Sequence, residues 1–222
     1  SHSYLFSGPR GVGKTTIARI LAQNLNNVED INESLDIIEL DGASNRGIDE
    51  IRDLKDSIRY APTQGKYKIY IIDEAHMLTR EAFNALLKTL EEPPSHVVFV
   101  LATTESHKIP ATISSRCQRY DFKKISIDKI ISYLEFIVKS EKYTSEEKAL
   151  LFISIKSDGS LRDALSLLDK IMAISDNHIS YELTKDVLGF VDEEEYLKIL
   201  EYVENQKINK AIKSVNDIID SG

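Results

Sequence analysis

One segment constrains the fold of this chain more than any other. Residues 8–15 read GPRGVGKT, with the apolar triplet Tyr4-Leu5-Phe6 before it and a helical pattern after it. A G-x-x-x-x-G-K-[ST] run between a strand and a helix is a phosphate-binding loop. Gly8, Gly11 and Gly13 allow the tight turns that aim backbone N–H groups inward, and the following helix adds the positive end of its dipole. Pro9, Arg10, Val12 and Thr16 complete the loop and its exit. Lys14 is placed to reach β- and γ-phosphates, and the Thr15 hydroxyl to ligate Mg²⁺.

Such a loop needs a parallel sheet to sit on, and the sequence provides one. The expected strands are Tyr4–Phe6, Asp36–Leu40, Lys68–Ile72, Val97–Ala102 and Arg119–Phe122, short and rich in Ile, Val, Phe and Tyr as buried strands are. Helical patterns lie between them. Thr15–Leu25 places Ile17, Ile20, Leu21 and Leu25 on one face, Ile48–Tyr60 has Ile51, Leu54 and Ile58, and Arg80–Leu90 has Ala82, Leu86, Leu87 and Leu90. This alternation predicts an α/β fold with helices on both faces of the sheet.

The strand signal fades after Lys124, and helical patterns follow at 128–140, 145–157, 161–174, 184–189, 193–206 and 208–220. Thr144 with Glu147 reads as a capping box, Asp158-Gly159 as a stop and Ser160 as the next N-cap. The expected organisation is a nucleotide-binding domain over 1–124, a small helical domain over 125–190, and the start of a further helical unit over 191–222. The abrupt beginning and end suggest a fragment. Charge changes at the same boundary: residues 1–124 carry 16 basic and 17 acidic side chains, residues 125–222 carry 12 and 19.

The second half of a phosphate site is an apolar strand ending in a carboxylate. Lys68–Ile72 followed by Asp73-Glu74 supplies it: Asp73 for the magnesium shell, Glu74 to polarise an attacking water. Val97–Ala102, a strand set beside the nucleotide, ends in Thr103-Thr104, hydroxyls within reach of a γ-phosphate. Arg116, in Ser115-Arg116-Cys117, is either a surface salt-bridge partner or a group that serves a neighbouring subunit's phosphate.

Composition excludes several classes. No window of 18 residues is continuously apolar, so no membrane span is expected. The single cysteine, Cys117, excludes a disulfide framework and a thiolate zinc cage, and points to a reducing, cytoplasmic setting. It reads as a packing residue rather than a nucleophile. A net charge of -8 excludes a uniform basic coat for nucleic acid but not a local patch. The five histidines, His2, His76, His96, His107 and His178, lack metal-ligand spacing and read as polar surface residues. The acidic run 192–195 reads as a solvated helix start.

Taken together, GPRGVGKT, DGASNRGIDEIRDL (41–54), YIIDEAHMLTREAFNALLKTLEEPP (70–94), LATTESHKIPATISSRCQRYDF (101–122) and GSLRDALSLLD (159–169) closely resemble the gamma/tau ATPase subunits of the bacterial replicative clamp loader, of the AAA+ class. The resemblance spans nearly the whole chain. It implies an AAA+ P-loop NTPase domain, a helical lid and the start of a helical collar. It implies ATP and Mg²⁺ as cofactors and ATP-dependent loading of a sliding clamp onto primed DNA. It also implies assembly with other loader subunits in a hetero-pentamer and contact with the backbone of primer-template DNA. The family belongs to the DNA polymerase III holoenzyme, although no polymerase site is visible here.

Carried over residue by residue, Lys14 and Thr15 match Walker A, and Asp73 and Glu74 match Walker B with Glu74 as catalytic carboxylate. Thr104, with Thr103 as the alternative, matches sensor 1, and Arg162 matches sensor 2 on the lid. Arg116 matches an arginine finger acting in trans. The segment Ala43–Gly47 precedes a helix that in the family meets DNA phosphates; a capped surface helix is the other reading. Two features depart from the family. Only 26–35 stand where a four-cysteine zinc module usually lies, so either the module is absent or it lies outside this sequence, and zinc is not expected. The N-terminal segment that helps to hold adenine is also missing.

Two other functions fit parts of the sequence. Asp73-Glu74-Ala75-His76 matches a helicase box, but helicases of that kind need a second RecA-like domain that the helical tail does not provide. A non-hydrolysing scaffold subunit of the same complex would carry a degraded phosphate loop, and Gly13-Lys14-Thr15 and Glu74 are intact.

Overall fold

The structure, a computed structural model, describes residues 2–189 and 193–221. Its residues cluster into two compact units, one of Ser1–Ile125 with Ser160–Arg162, the other of Ser126–Gly159 with Asp163–Gly222. The expected boundary at 190 and 191, and Asp192 of the acidic run, lie outside the described residues.

The first unit is built on five strands: β1 (Ser3–Ser7), β2 (Ile37–Asp41), β3 (Lys68–Asp73), β4 (Val97–Thr103) and β5 (Gln118–Asp121). They pair in the order β2-β3-β4-β1-β5, and every pair is parallel. Four helices join them: α1 (Lys14–Asn26), α2 (Ile48–Ser57), α3 (Arg80–Glu91) and the short α4 (Ala111–Ser114).

Alternation along the central strands sends side chains to two cores. Tyr70, Ile72, Val97, Phe99, Leu101 and Leu5 face α2 and α3, joining Ile51, Leu54, Phe83 and Leu86. Ile69, Ile71, Val98, Val100 and Phe6 face α1, joining Ala18 and Ala22. Helices therefore cover both faces, as parallel strands require. The Tyr70 and Phe99 rings stack at 5.4 Å, and the Tyr70 hydroxyl meets Ser57 Oγ at 2.7 Å, so the buried phenol has its polar partner. α3 starts where Thr79 Oγ1 accepts the Ala82 N–H at 3.2 Å.

Several expectations need correction. On α1 the buried residues are Lys14, Ala18 and Ala22, flanked by partly buried Leu21 and Leu25, whereas Ile17 and Ile20 are each 45% exposed. Small alanines let the helix lie close to the sheet, and this turns the isoleucines outward. β5 is exposed along its length and β2 along much of it, because both are edge strands; β1, β3 and β4 are the buried strands of this sheet among the described residues.

The second unit is helical: α5 (Ile127–Ser140), α6 (Glu147–Lys156), α7 (Leu161–Met172, whose first two residues cluster with the first unit), α8 (Tyr181–Val187), α9 (Glu193–Glu204) and α10 (Ile208–Ser221). Its buried residues include Ile130, Leu134 and Val138 of α5, Leu150 and Ile153 of α6, and Leu168 and Ile171 of α7. The expected helix at 184–189 lies at α8 instead. The expected capping box also fails. Thr144 sits in a two-residue strand, β6 (Thr144–Ser145), paired with β7 (His178–Ile179), and its hydroxyl meets His178 Nδ1 at 2.8 Å. α6 begins after Glu146, with no side-chain cap. The stop at Asp158-Gly159 takes positive φ at both residues, 49° and 82°. Among the described residues, no helix is long and apolar enough to cross a membrane.

Candidate active site

The C-terminal ends of β1, β3 and β4 converge and bring Thr15, Asp73, Glu74 and Thr104 together, whereas Arg116 lies on the connection between α4 and β5. The loop after β1 starts with Gly8 N–H donating to Thr103 O at 3.2 Å. At Gly8 φ is 150°, and a Cβ there would lie 2.3 Å from Phe122 O. At Gly11 φ is 72°, and a Cβ would lie 2.0 Å from Ser160 Oγ. Only glycine satisfies both the backbone and the space. Gly13, at φ 98°, caps α1, and its carbonyl accepts the Ile17 N–H at 2.9 Å. Pro9, Arg10 and Thr16 are exposed and Val12 is buried, so the loop's rim faces solvent while Val12 anchors it.

Lys14 is 6% exposed and bends back over this loop, its Nζ donating to Gly8 O at 2.9 Å and Pro9 O at 2.7 Å. Burial pushes its pKa below the ordinary lysine value, while the carboxylates of Glu74 and Asp73 act the other way. Thr15 Oγ1 donates to Asp73 Oδ2 at 2.7 Å, and Asp73 Oδ1 accepts the Glu74 N–H at 2.9 Å. A hydroxyl and a carboxylate in contact, from α1 and β3, are the hard oxygen donors that Mg²⁺ prefers. Glu74 itself lies in the left-handed region, φ 43° and ψ 44°. For a non-glycine residue that costs about 1–3 kcal/mol, strain of a kind that clusters at working sites.

Thr104 Oγ1 donates to Glu74 Oε2 at 3.1 Å. Thr103, the alternative, is fully buried, and its Oγ1 accepts the Glu105 N–H at 3.0 Å. His76 was expected on the surface and is not. Its side chain is 7% exposed, with Nδ1 at 3.1 Å from Thr103 Oγ1 and 3.3 Å from Glu74 Oε2, and Nε2 at 3.3 Å from Glu105 Oε1. Lys108, donating to Glu105 at 2.9 Å, holds that carboxyl below the usual carboxylate range. His76 and Glu105 are the members of this site that periodicity could not reveal. The available signal was the place of His76, three residues beyond a strand-ending aspartate. His2 and His96 also depart from the surface expectation: His2 Nδ1 meets Val97 O at 3.0 Å, and His96 Nε2 meets Ile58 O at 3.2 Å.

Arg116 stands apart from this group. It forms an ion pair with Glu91 at 2.5 Å and donates to Thr112 O at 2.5 Å, both on the α3–α4 side. Arg162 comes to the loop through its backbone, its N–H donating to Gly11 O at 3.3 Å. The 43–47 segment folds as a turn on Asp41, whose carboxylate accepts the Ser44 hydroxyl at 2.7 Å and the Ala43 N–H at 2.9 Å; these bonds, the hydroxyl's first, lower its pKa. Thr79 N–H donates to Arg46 O at 3.1 Å and ties this turn to the start of α3.

Two family models match the chain: "DNA polymerase III, delta subunit" over residues 32–126 and "DNA polymerase III clamp loader subunit, ATPase lid domain" over residues 129–177. Relatives aligned over the entire chain carry tau or gamma names. DNA polymerase III subunit tau of Bacillus subtilis is 45% identical over 100% of this chain and 42% of its own length. The tau subunit of Escherichia coli is 42% identical over 100% of this chain and 37% of its own. Subunit gamma of Buchnera aphidicola (subsp. Acyrthosiphon pisum) is 41% identical over 100% of this chain and 66% of its own. The chain thus spans about two fifths of the tau relatives' length. Among solved structures, the Thermotoga maritima RuvB Holliday junction branch migration motor superposes with a TM-score of 0.67 at 20% identity, over 97% of this chain and 74% of that one. At that identity the likeness concerns the fold alone, a parallel sheet with helices on both faces.

Proposed function

Because this chain belongs to the DNA polymerase III tau/gamma clamp-loader subunit family, we propose that it binds and hydrolyses ATP to drive loading of a sliding clamp onto primed DNA. Its place is the cytoplasm, in a hetero-pentamer with other loader subunits, contacting primer-template DNA through the backbone. Residues 1–124 form the nucleotide domain, 125–190 the lid and 191–222 the start of the collar.

The observation that carries this reading is the meeting of three strand ends: Thr15 on Asp73 at 2.7 Å and Thr104 on Glu74 at 3.1 Å, beside a buried Lys14. The loop amides and the start of α1 bind phosphate oxygens. Lys14 exchanges its two loop carbonyls for the β- and γ-phosphates. Thr15 and Asp73 are the residues that would hold Mg²⁺, which when bound neutralises charge on the phosphate oxygens. Glu74 orients a water and takes its proton, a contribution of roughly 10²–10⁴ in rate. Thr104 reads the terminal phosphate, Arg162 closes the lid side, and Arg116 serves an adjacent subunit's site.

Two variants of the complete gene product, assembled with its partner subunits, test this. Lys14→Ala is expected to abolish ATP binding. Glu74→Gln is expected to bind ATP normally and to hydrolyse it at least about a hundredfold more slowly. Unchanged turnover with Lys14→Ala would establish the scaffold role instead.

A further inference from the structure

His76 is absorbed by none of the roles above, yet its ring touches three segments of the site. Nδ1 faces the Glu74 carboxylate after β3 and the Thr103 hydroxyl at the end of β4, and Nε2 faces Glu105 on the loop leading to α4. On the ATPase reading just given, we infer that His76 is a positioning residue, an imidazole brace that holds the Glu74 carboxylate in its working orientation.

Three observations support it. Glu74 needs a brace: its backbone lies at φ 43°, outside the ordinary wells, and its side chain is 35% exposed, so packing alone does not fix the carboxylate. The brace is itself fixed: the ring is 7% exposed, Thr103 is fully buried, and Glu105 is anchored by Lys108 at 2.9 Å. Thr104 also holds Glu74, through the same oxygen, Oε2, at 3.1 Å. A hydroxyl that must turn to a terminal phosphate cannot hold Glu74 at that moment, whereas the imidazole, which shares Nδ1 between Glu74 and the buried Thr103 hydroxyl, has no duty toward the phosphate. With Oε2 held, the proton of the attacking water goes to Oε1.

The test is steady-state ATP turnover by the complete gene product in its assembly on primed DNA. Fluorescent-ATP binding and thermal melting are measured in parallel. His76→Ala is expected to lower kcat roughly ten- to hundredfold, the scale of a misplaced catalytic group. KM and the analogue's Kd should stay within about twofold. The two amides separate the ring's nitrogens. His76→Asn places an N–H near the Nδ1 position and is expected to restore kcat to within about threefold, whereas His76→Gln, which reaches the Nε2 position, is not. If the alanine variant does not fold, the contrast between Asn and Gln decides the matter. Wild-type kcat in His76→Ala overturns the brace, and so does Asn as impaired as Gln with an equal fall in Tm, since that marks a packing role. Glu74→Gln runs alongside. Wild-type turnover there removes the catalytic role of Glu74 and the brace with it, while an inert Glu74→Gln beside a fully active His76→Ala removes the brace alone.

Discussion

Asp36 stands immediately before β2. Its carboxylate accepts the N–H groups of Thr63, Gln64 and Gly65 at 2.6–2.7 Å, closing the loop that leads into β3. Burial raises its pKa, but the three amides outweigh burial and hold it below the ordinary value. A depressed folded pKa adds stability at pH above the unfolded value of about 4, and that stability is lost as pH falls through the folded value. Asp36→Asn is therefore expected to lower stability at pH 7 by roughly 1–3 kcal/mol. The gap from wild type should narrow toward pH 3, as read by denaturant melts at both pH values. Cys117 shows the opposite effect: burial pushes its thiol up to about 11. At pH 8 its alkylation in the native protein should be roughly a hundredfold slower than in guanidinium. Nothing in a linear pattern foretold the Asp36 clip, because its partners lie 27–29 residues away and are backbone groups.

At the scale of elements, what could be read depended on whether local residues alone decide the conformation. The phosphate loop was legible in full because its glycines are needed for the backbone itself. Gly8→Ala would put a methyl 2.3 Å from Phe122 O, at φ 150°. We expect ATP affinity to fall at least about tenfold and the melting temperature to drop by several degrees, measured by analogue titration and calorimetry. The central strands were legible because they are buried on both faces and read as unbroken apolar runs. α1 was half legible: its period was right, but the sheet accepted Ala18 and Ala22, and Ile17 and Ile20 were left outside. The Thr144 capping box satisfied a pattern, but Thr144 was taken by pairing with β7, a contact 34 residues away. His76 escaped for the same reason. Its burial depends on where β4 ends, which periodicity around residue 76 does not encode.

At the scale of the whole molecule, Arg116 is the residue whose proposed role lies outside its own chain. Within the chain it is neutralised by Glu91 at 2.5 Å and does not join the Lys14, Asp73 and Glu74 group. If it acts on a neighbour's nucleotide, Arg116→Ala should leave ATP binding intact. Hydrolysis should then fall by about 10³–10⁵ in the assembled complex only, as measured by turnover with and without the partner subunits. The resemblance made this role readable as an expectation, since spacing alone left it level with an ordinary salt bridge. The helical unit was legible as helices, though three of their starts shifted by one to three residues, and its small β6–β7 pair was not visible because two-residue strands carry no period.

β4, the strand that ends in Thr103 and leads to Thr104, is the middle member of its sheet, held by β3 on one side and β1 on the other. It cannot slide without tearing two ladders at once. The anvil of the site is therefore its least yielding part, and amide hydrogens along Val97–Thr103 should be among the slowest in the protein to exchange with deuterium. At β4, any change between empty and loaded forms falls to the side chains and loops at the strand's tip.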